Sequence, residues 1–153
     1  MPDDYYILPI RCDLLIQGAA ARQPASQRQL YGSLEESIHE HVYLLVTTPF
    51  KTVRFDTAYG CEVWDGDFSS GNESNDTRWT DQIQNSVLRA IRAYEPRLER
   101  IEVLVELDRD GASDAHKRLV VTVTAEIKKS NHRAFRFQRI ILIAPFAARN
   151  SKQ

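Results

Sequence analysis

Four carboxylates, Glu62, Asp65, Asp67 and Glu95, are the side chains of this 153-residue chain best placed for acid–base work. A glycosidase needs two such groups facing each other across a sugar cleft, one of them with a raised pKa. Three of the four flank Trp64 in "CEVWDGD", and acids beside a tryptophan suit a protein interface as well as an active site. Nothing in the pattern marks a cleft or an acid kept neutral, so peptidoglycan hydrolysis is the lesser reading. His39 and His41 are the close histidine pair. Residues two apart on a helix point about 160° from one another, so the pair cannot converge on one metal and reads as exposed helix surface. The sequence has no glycine-rich phosphate loop, no G-x-S-x-G elbow and no H-E-x-x-H. No catalytic residue, cofactor or metal is expected.

A different signal lies in "RAYEPRLERIEV", residues 92–103. A helical pattern reaches Tyr94 and then meets Glu95, Pro96 and Arg97. The residue before a proline is pushed out of the α region, so the helix should stop near Tyr94. An anion at a helix C-terminus is disfavoured by the macrodipole. In an extended run, side chains two apart share a side, so Glu95 and Arg97 point the same way. One account is local neutralisation by Arg97 or Arg92. The favoured account is a rigid, two-signed peg, held by Pro96, that reads a complementary pair on a partner. That account expects substitution of Glu95 or Arg97 to leave stability nearly unchanged.

The surrounding elements are well signalled. Ser33 and Glu36 form a capping box, and Leu34, Ile38, Val42 and Leu45 follow at helical spacing until Pro49. A second helix is expected over 77–94, capped by Asp76 or Thr77, with Trp79, Ile83, Val87 and Ile91 as its apolar stripe. Alternation then predicts strands over 100–107, 118–128 and 134–143, with turns near Gly111 and Asn131. Phe135 and Phe137 share one face of the last strand, so the basic residues between them are plain alternation and no nucleic-acid motif. The fold class is α+β: a C-terminal three-strand antiparallel meander with short strands, packed against two helices. Residues 1–32 read as an N-terminal arm and linker, 33–147 as the domain and 148–153 as a disordered tail.

Composition limits the partners. Hydrophobic residues are 42% and charged residues 27% of the chain, ordinary for a globular domain. The formal net charge of -1, from 20 basic and 21 acidic residues, gives no general attraction to nucleic acid or anionic membrane. Cys12 and Cys61 form no C-x-x-C and are expected as reduced thiols in a cytoplasmic protein. "MPDDYYILPI" resembles neither a secretory signal nor a transit peptide, and "IILIAPFAA" is short of a bilayer span.

The ordered set "GSLEESIHEHVYLLVTTPF", "VRFDTAYGCEVWD" and "VLRAIRAYEPRLERIEV" resembles the baseplate wedge family of contractile tails. That family includes the lysozyme-like wedge protein of myophages and TssE of type VI secretion systems; the resemblance is strongest to the Bacteroidota variety of TssE. It rests on Thr47 and Thr48 after the first helix, on Tyr59 and Gly60, and on Glu95, Pro96 and Arg97, over about residues 32–127. The chain departs from the family at Lys51 and Thr52, where Gly and Glu are common, so the 49–53 turn is expected to differ in shape. The resemblance implies structural work in a baseplate docked at the inner membrane. The implied partners are TssF-like, TssG-like and TssK-like wedge proteins and sheath subunits, with no nucleic acid, membrane insertion or small-molecule substrate. The expected partner-binding residues are Glu95, Pro96, Arg97, Tyr59, Gly60 and Trp64. The alternatives are a peptidoglycan hydrolase and an unrelated ligand-binding α+β domain.

Overall fold

Backbone hydrogen bonding and apolar alternation together fix the order of elements. A computed structural model of the chain describes residues 5–6, 31–64, 73–108, 117–128 and 131–143. Two short strands, β1 (Tyr5–Tyr6) and β2 (Tyr31–Gly32), pair antiparallel just ahead of helix α1 (Leu34–Thr47). A single 3-10 turn, Glu62–Trp64, precedes helix α2 (Glu73–Tyr94). Strands β3 (Leu98–Asp108), β4 (Lys117–Ile127) and β5 (Arg133–Ile143) then form an antiparallel sheet in the order β3-β4-β5. The expected α+β meander is the observed fold.

Helix α1 begins as its sequence dictates. The Ser33 hydroxyl accepts from the Glu36 N–H at 3.2 Å, and the Glu36 carboxylate accepts from the Ser33 N–H at 2.7 Å. Those backbone and side-chain bonds to Ser33 hold the Glu36 carboxyl below its ordinary value. Helix α2 starts at Glu73, ahead of the expected caps. Asp76 and Thr77 therefore lie inside the helix, where early acids complement the positive end of the dipole.

One face of the sheet is covered, with α2 along β3 and α1 toward β5. Ile38, Val42 and Leu45 of α1 meet Ile83, Val87 and Ile91 of α2 over Val103, Val105, Leu119, Val121, Val123, Phe135 and Phe137. Both phenylalanines point into this core. Strand β3 begins two residues before the expected boundary, and its register breaks between Glu99 and Glu102. Arg100 sits at that bulge with φ 51°. The extra residue reverses the inside–outside parity, which is why Leu98 and Val103 are both buried. The opposite face carries exposed Leu104, Ile140 and Leu142.

Among the described residues, β3 and β5 each pair with β4 alone. The bulge at Arg100 twists and blunts the β3 edge. Strand β5 runs eleven residues against β4 without a register shift, so its outer edge is regular. No helix among the described residues is long and apolar enough to cross a membrane. The Gly111 turn and the 148–153 tail lie outside the described residues.

Candidate interaction site

The site grows from the end of α2. Helical bonding continues to Glu95, whose N–H donates to the Ile91 carbonyl at 2.8 Å, and Pro96 stops it there. The Leu98 N–H then bonds the Glu95 carbonyl at 3.3 Å, turning the chain directly into β3. Lys128 closes the corner from the far end of β4: its N–H reaches the Arg97 carbonyl at 3.0 Å and its ammonium the Pro96 carbonyl at 2.8 Å. A glutamate at this turn therefore has its direction set by backbone on both sides.

That direction is inward. The Glu95 side chain is 0% exposed and Arg97 is 26% exposed. The guanidinium grips the carboxylate as a fork, Nε to Oε1 at 2.6 Å and Nη2 to Oε2 at 2.5 Å, and the Arg97 N–H adds a third donor at 3.2 Å. His41 of α1 donates through Nδ1–H to Oε2 at 2.9 Å. The remaining arm of the guanidinium reaches the Ser37 hydroxyl at 3.0 Å. Burial pushes the Glu95 carboxyl up, but the bonds and charges of Arg97 and His41 outweigh it and hold the pKa at about 2. The two side chains do face the same way, but through a turn at Pro96 and Arg97 and not through the expected extended run. The projecting two-signed peg is not what they build. Acid and base are spent on one another and on α1, because four donors converge on one buried carboxylate. His41 corrects a second expectation: it is 17% exposed and structural, not an exposed helical side chain.

Tyr59 and Gly60 belong to the same assembly. The Tyr59 ring stacks over His41 at 6.3 Å between centroids and meets Tyr94 edge-on at 5.0 Å. Burial, and then the nearby Glu95 charge, raises the Tyr59 hydroxyl above its ordinary pKa. The Tyr94 hydroxyl donates to Asp56 at 2.8 Å, and that bond raises its pKa. Gly60 has φ 104°, and a Cβ there would stand 2.2 Å from the Thr48 carbonyl oxygen. Only glycine fits. The close approach lets the Cys61 N–H bond that same carbonyl at 3.0 Å and pairs Pro49 with Cys61.

Between these anchors the 49–60 segment closes on itself. The Lys51 N–H bonds the Thr57 carbonyl at 3.1 Å, and Lys51 takes φ 65°. The turn thus takes the kind of positive φ that glycine allows without strain. Of the other carboxylates, Glu62 bonds through its N–H to the Ser86 hydroxyl and lies 3.8 Å from Arg89. Asp65, Asp67 and the Trp64 side chain lie outside the described residues. A 660 Å³ open hollow flanks the Glu-Pro-Arg turn, lined by Arg92, Pro96, Glu99, Arg100 and Lys128 among others. Glu62 is not among the residues that line the hollow beside Glu95. Sequence reasoning missed the role of Ser37 and His41, although their i, i+4 spacing on α1 places both on one face.

Comparison with known proteins bears on this geometry. The model of the baseplate wedge protein gp25 family matches residues 32–132. A crystal structure from Geobacter sulfurreducens, described as a candidate tail lysozyme, superposes with a TM-score of 0.53 at 25% identity, covering 74% of this chain and 92% of that one. A chain of the baseplate complex from the type VI secretion system superposes with a TM-score of 0.53 at 13% identity, covering 69% and 91%. No curated protein matches the sequence. The matched span takes in α1, the 49–60 loop, α2, the Glu95–Arg97 fork, β3 and β4, and the chain belongs to the baseplate wedge protein gp25 family.

Proposed function

We propose that the protein is a structural component of a contractile injection machine. It joins the baseplate wedge, beside TssF-like, TssG-like and TssK-like proteins, and offers a platform on which sheath assembly starts. The observation that carries this reading is the outer edge of β5: eleven regular residues with no strand partner among the described residues. Such an edge accepts another strand by backbone hydrogen bonding. Exposed Ile140 and Leu142 on the same strand give an arriving segment apolar contact. Residues 1–32 serve as an arm that strengthens wedge contacts, and residues 33–147 form the domain that carries the edge. Family membership supports the baseplate setting.

The same geometry argues against glycosidase chemistry. A general acid must hold a proton at neutral pH. The Glu95 carboxyl, held at about 2 in a fork with no exposed surface, does not.

The test is a proline scan along residues 134–140, read by melting temperature and by sheath formation. Prolines that spare the melt mark N–H groups facing away from β4. Those variants should fold and fail to initiate sheath. Normal sheath formation by every such variant would defeat the edge reading.

A further inference from the structure

The most exposed large apolar side chain among the described residues is Phe55, at 94%. A lone exposed hydrophobic needs no explanation by itself. Phe55 differs in how it is held. The neck of its loop is closed by the Lys51 N–H on the Thr57 carbonyl, and Asp56 N–H bonds the Val53 carbonyl at 3.3 Å. The Asp56 carboxylate accepts from the Ala58 N–H at 3.0 Å and from the Tyr94 hydroxyl at 2.8 Å. Tyr94 in turn packs on Tyr59 and precedes the Glu95–Arg97 fork. The ring therefore stands one residue from a side chain tied into the buried network. It is presented, not trailing.

Charge sorts the same way. Asp56, the acid of the tip, is turned inward by its two donors. Lys51 and Arg54 are exposed and make no ion pair among the described residues. The outward surface then carries one aromatic ring and two cations. Aromatic residues and arginine are the side chains enriched where protein interfaces concentrate their binding energy.

We infer that the 49–60 loop is a docking tip anchored by Phe55, and that its partner is a protein surface bearing an apolar socket rimmed by carboxylates. This rests on the baseplate reading and names a contact distinct from the β5 edge. A membrane is the weaker occupant. One ring and two cations fall short of the paired signals a stable membrane hold requires, and a formal net charge of -1 adds no general attraction.

The experiment uses the full chain co-expressed with the wedge proteins encoded beside it, in wild-type form and as Phe55→Ala, Phe55→Leu and Arg54→Glu. All three variants should melt with the wild type, because the replaced side chains are exposed. Phe55→Ala should weaken retention by about 10- to 100-fold, Phe55→Leu should keep part of it, and Arg54→Glu should weaken it most at low salt. Equal retention of Phe55→Ala and wild type overturns the tip and leaves the baseplate reading standing. Failure of the wild type itself to be retained removes the baseplate reading and the tip with it. Flotation with phosphatidylglycerol and phosphatidylethanolamine vesicles should show no binding; flotation lost in Phe55→Ala would assign the tip to a membrane and overturn the protein socket.

Discussion

Arg97→Ala should be among the most destabilising single substitutions in this domain, and the structure says why. It removes the fork on Glu95 and the bond to Ser37, leaving a carboxylate with no exposed surface and only His41 and one N–H to face it. An unpaired buried charge of this kind costs about 3–5 kcal/mol. At about 2–4 °C per kcal/mol for a domain of this size, the melting temperature falls by about 6–20 °C. Glu95→Gln is milder, about 1–3 kcal/mol, because the amide oxygen still accepts from the guanidinium and Arg97 is 26% exposed. Acid provides the second signature. Glu95 titrates at about 2 in the fold against an ordinary 4.5. Its contribution is therefore complete above about pH 4.5 and is lost as pH falls toward 2, a difference of about 3 kcal/mol. In Arg97→Ala the main hold on the carboxylate is gone while burial still pushes it up, so the folded value moves back toward the unfolded one and the acid-dependent loss shrinks. Urea melts of wild type, both single mutants and the double mutant between pH 2 and pH 7 would measure all three effects. An Arg97→Ala protein that melts within about 2 °C of wild type, or that loses less than Glu95→Gln, would refute the fastener.

Four further outcomes are expected. Lys51→Gly should gain up to about 1 kcal/mol, since the left-handed turn strains lysine and not glycine; calorimetry checks it. Gly60→Ala should lose about 3 kcal/mol or more, or fail to accumulate as folded protein, because its Cβ meets the Thr48 carbonyl. Ser33→Ala removes a capping box and should cost about 1 kcal/mol in chemical denaturation. A chain lacking residues 1–30 should still melt cooperatively by circular dichroism while binding wedge proteins less tightly; a non-cooperative melt would put the arm in the core.

The sheet and α1 were legible because their signals are local and periodic. Ser33 and Glu36 cap one another within a single turn, and Leu119 through Ile127 alternate without interruption. The bulge at Arg100 was not legible: a parity reversal leaves the residue types unchanged, and Leu98 lay ahead of the strand expected from residue 100. The Glu-Pro-Arg motif shows the same limit more sharply. Glu95 and Arg97 do share a side of the chain, but a turn at Pro96 and Arg97 brings them together where an extended run was expected. Which side that is depends on His41 and Ser37, more than fifty residues away, and their donors draw the carboxylate inward. Phe55 was passed over because one apolar residue in a short loop carries no pattern; its meaning comes from exposure and from the bonds beneath it.

The central claim is that this chain does its work as a part of a baseplate wedge. Co-expression with the wedge proteins encoded beside it, followed by size-exclusion chromatography, measures that directly. The account predicts that the chain elutes with those proteins as one complex, at a fixed ratio across the peak. Elution of the chain alone, with the wedge assembled at full size in its absence, would contradict it.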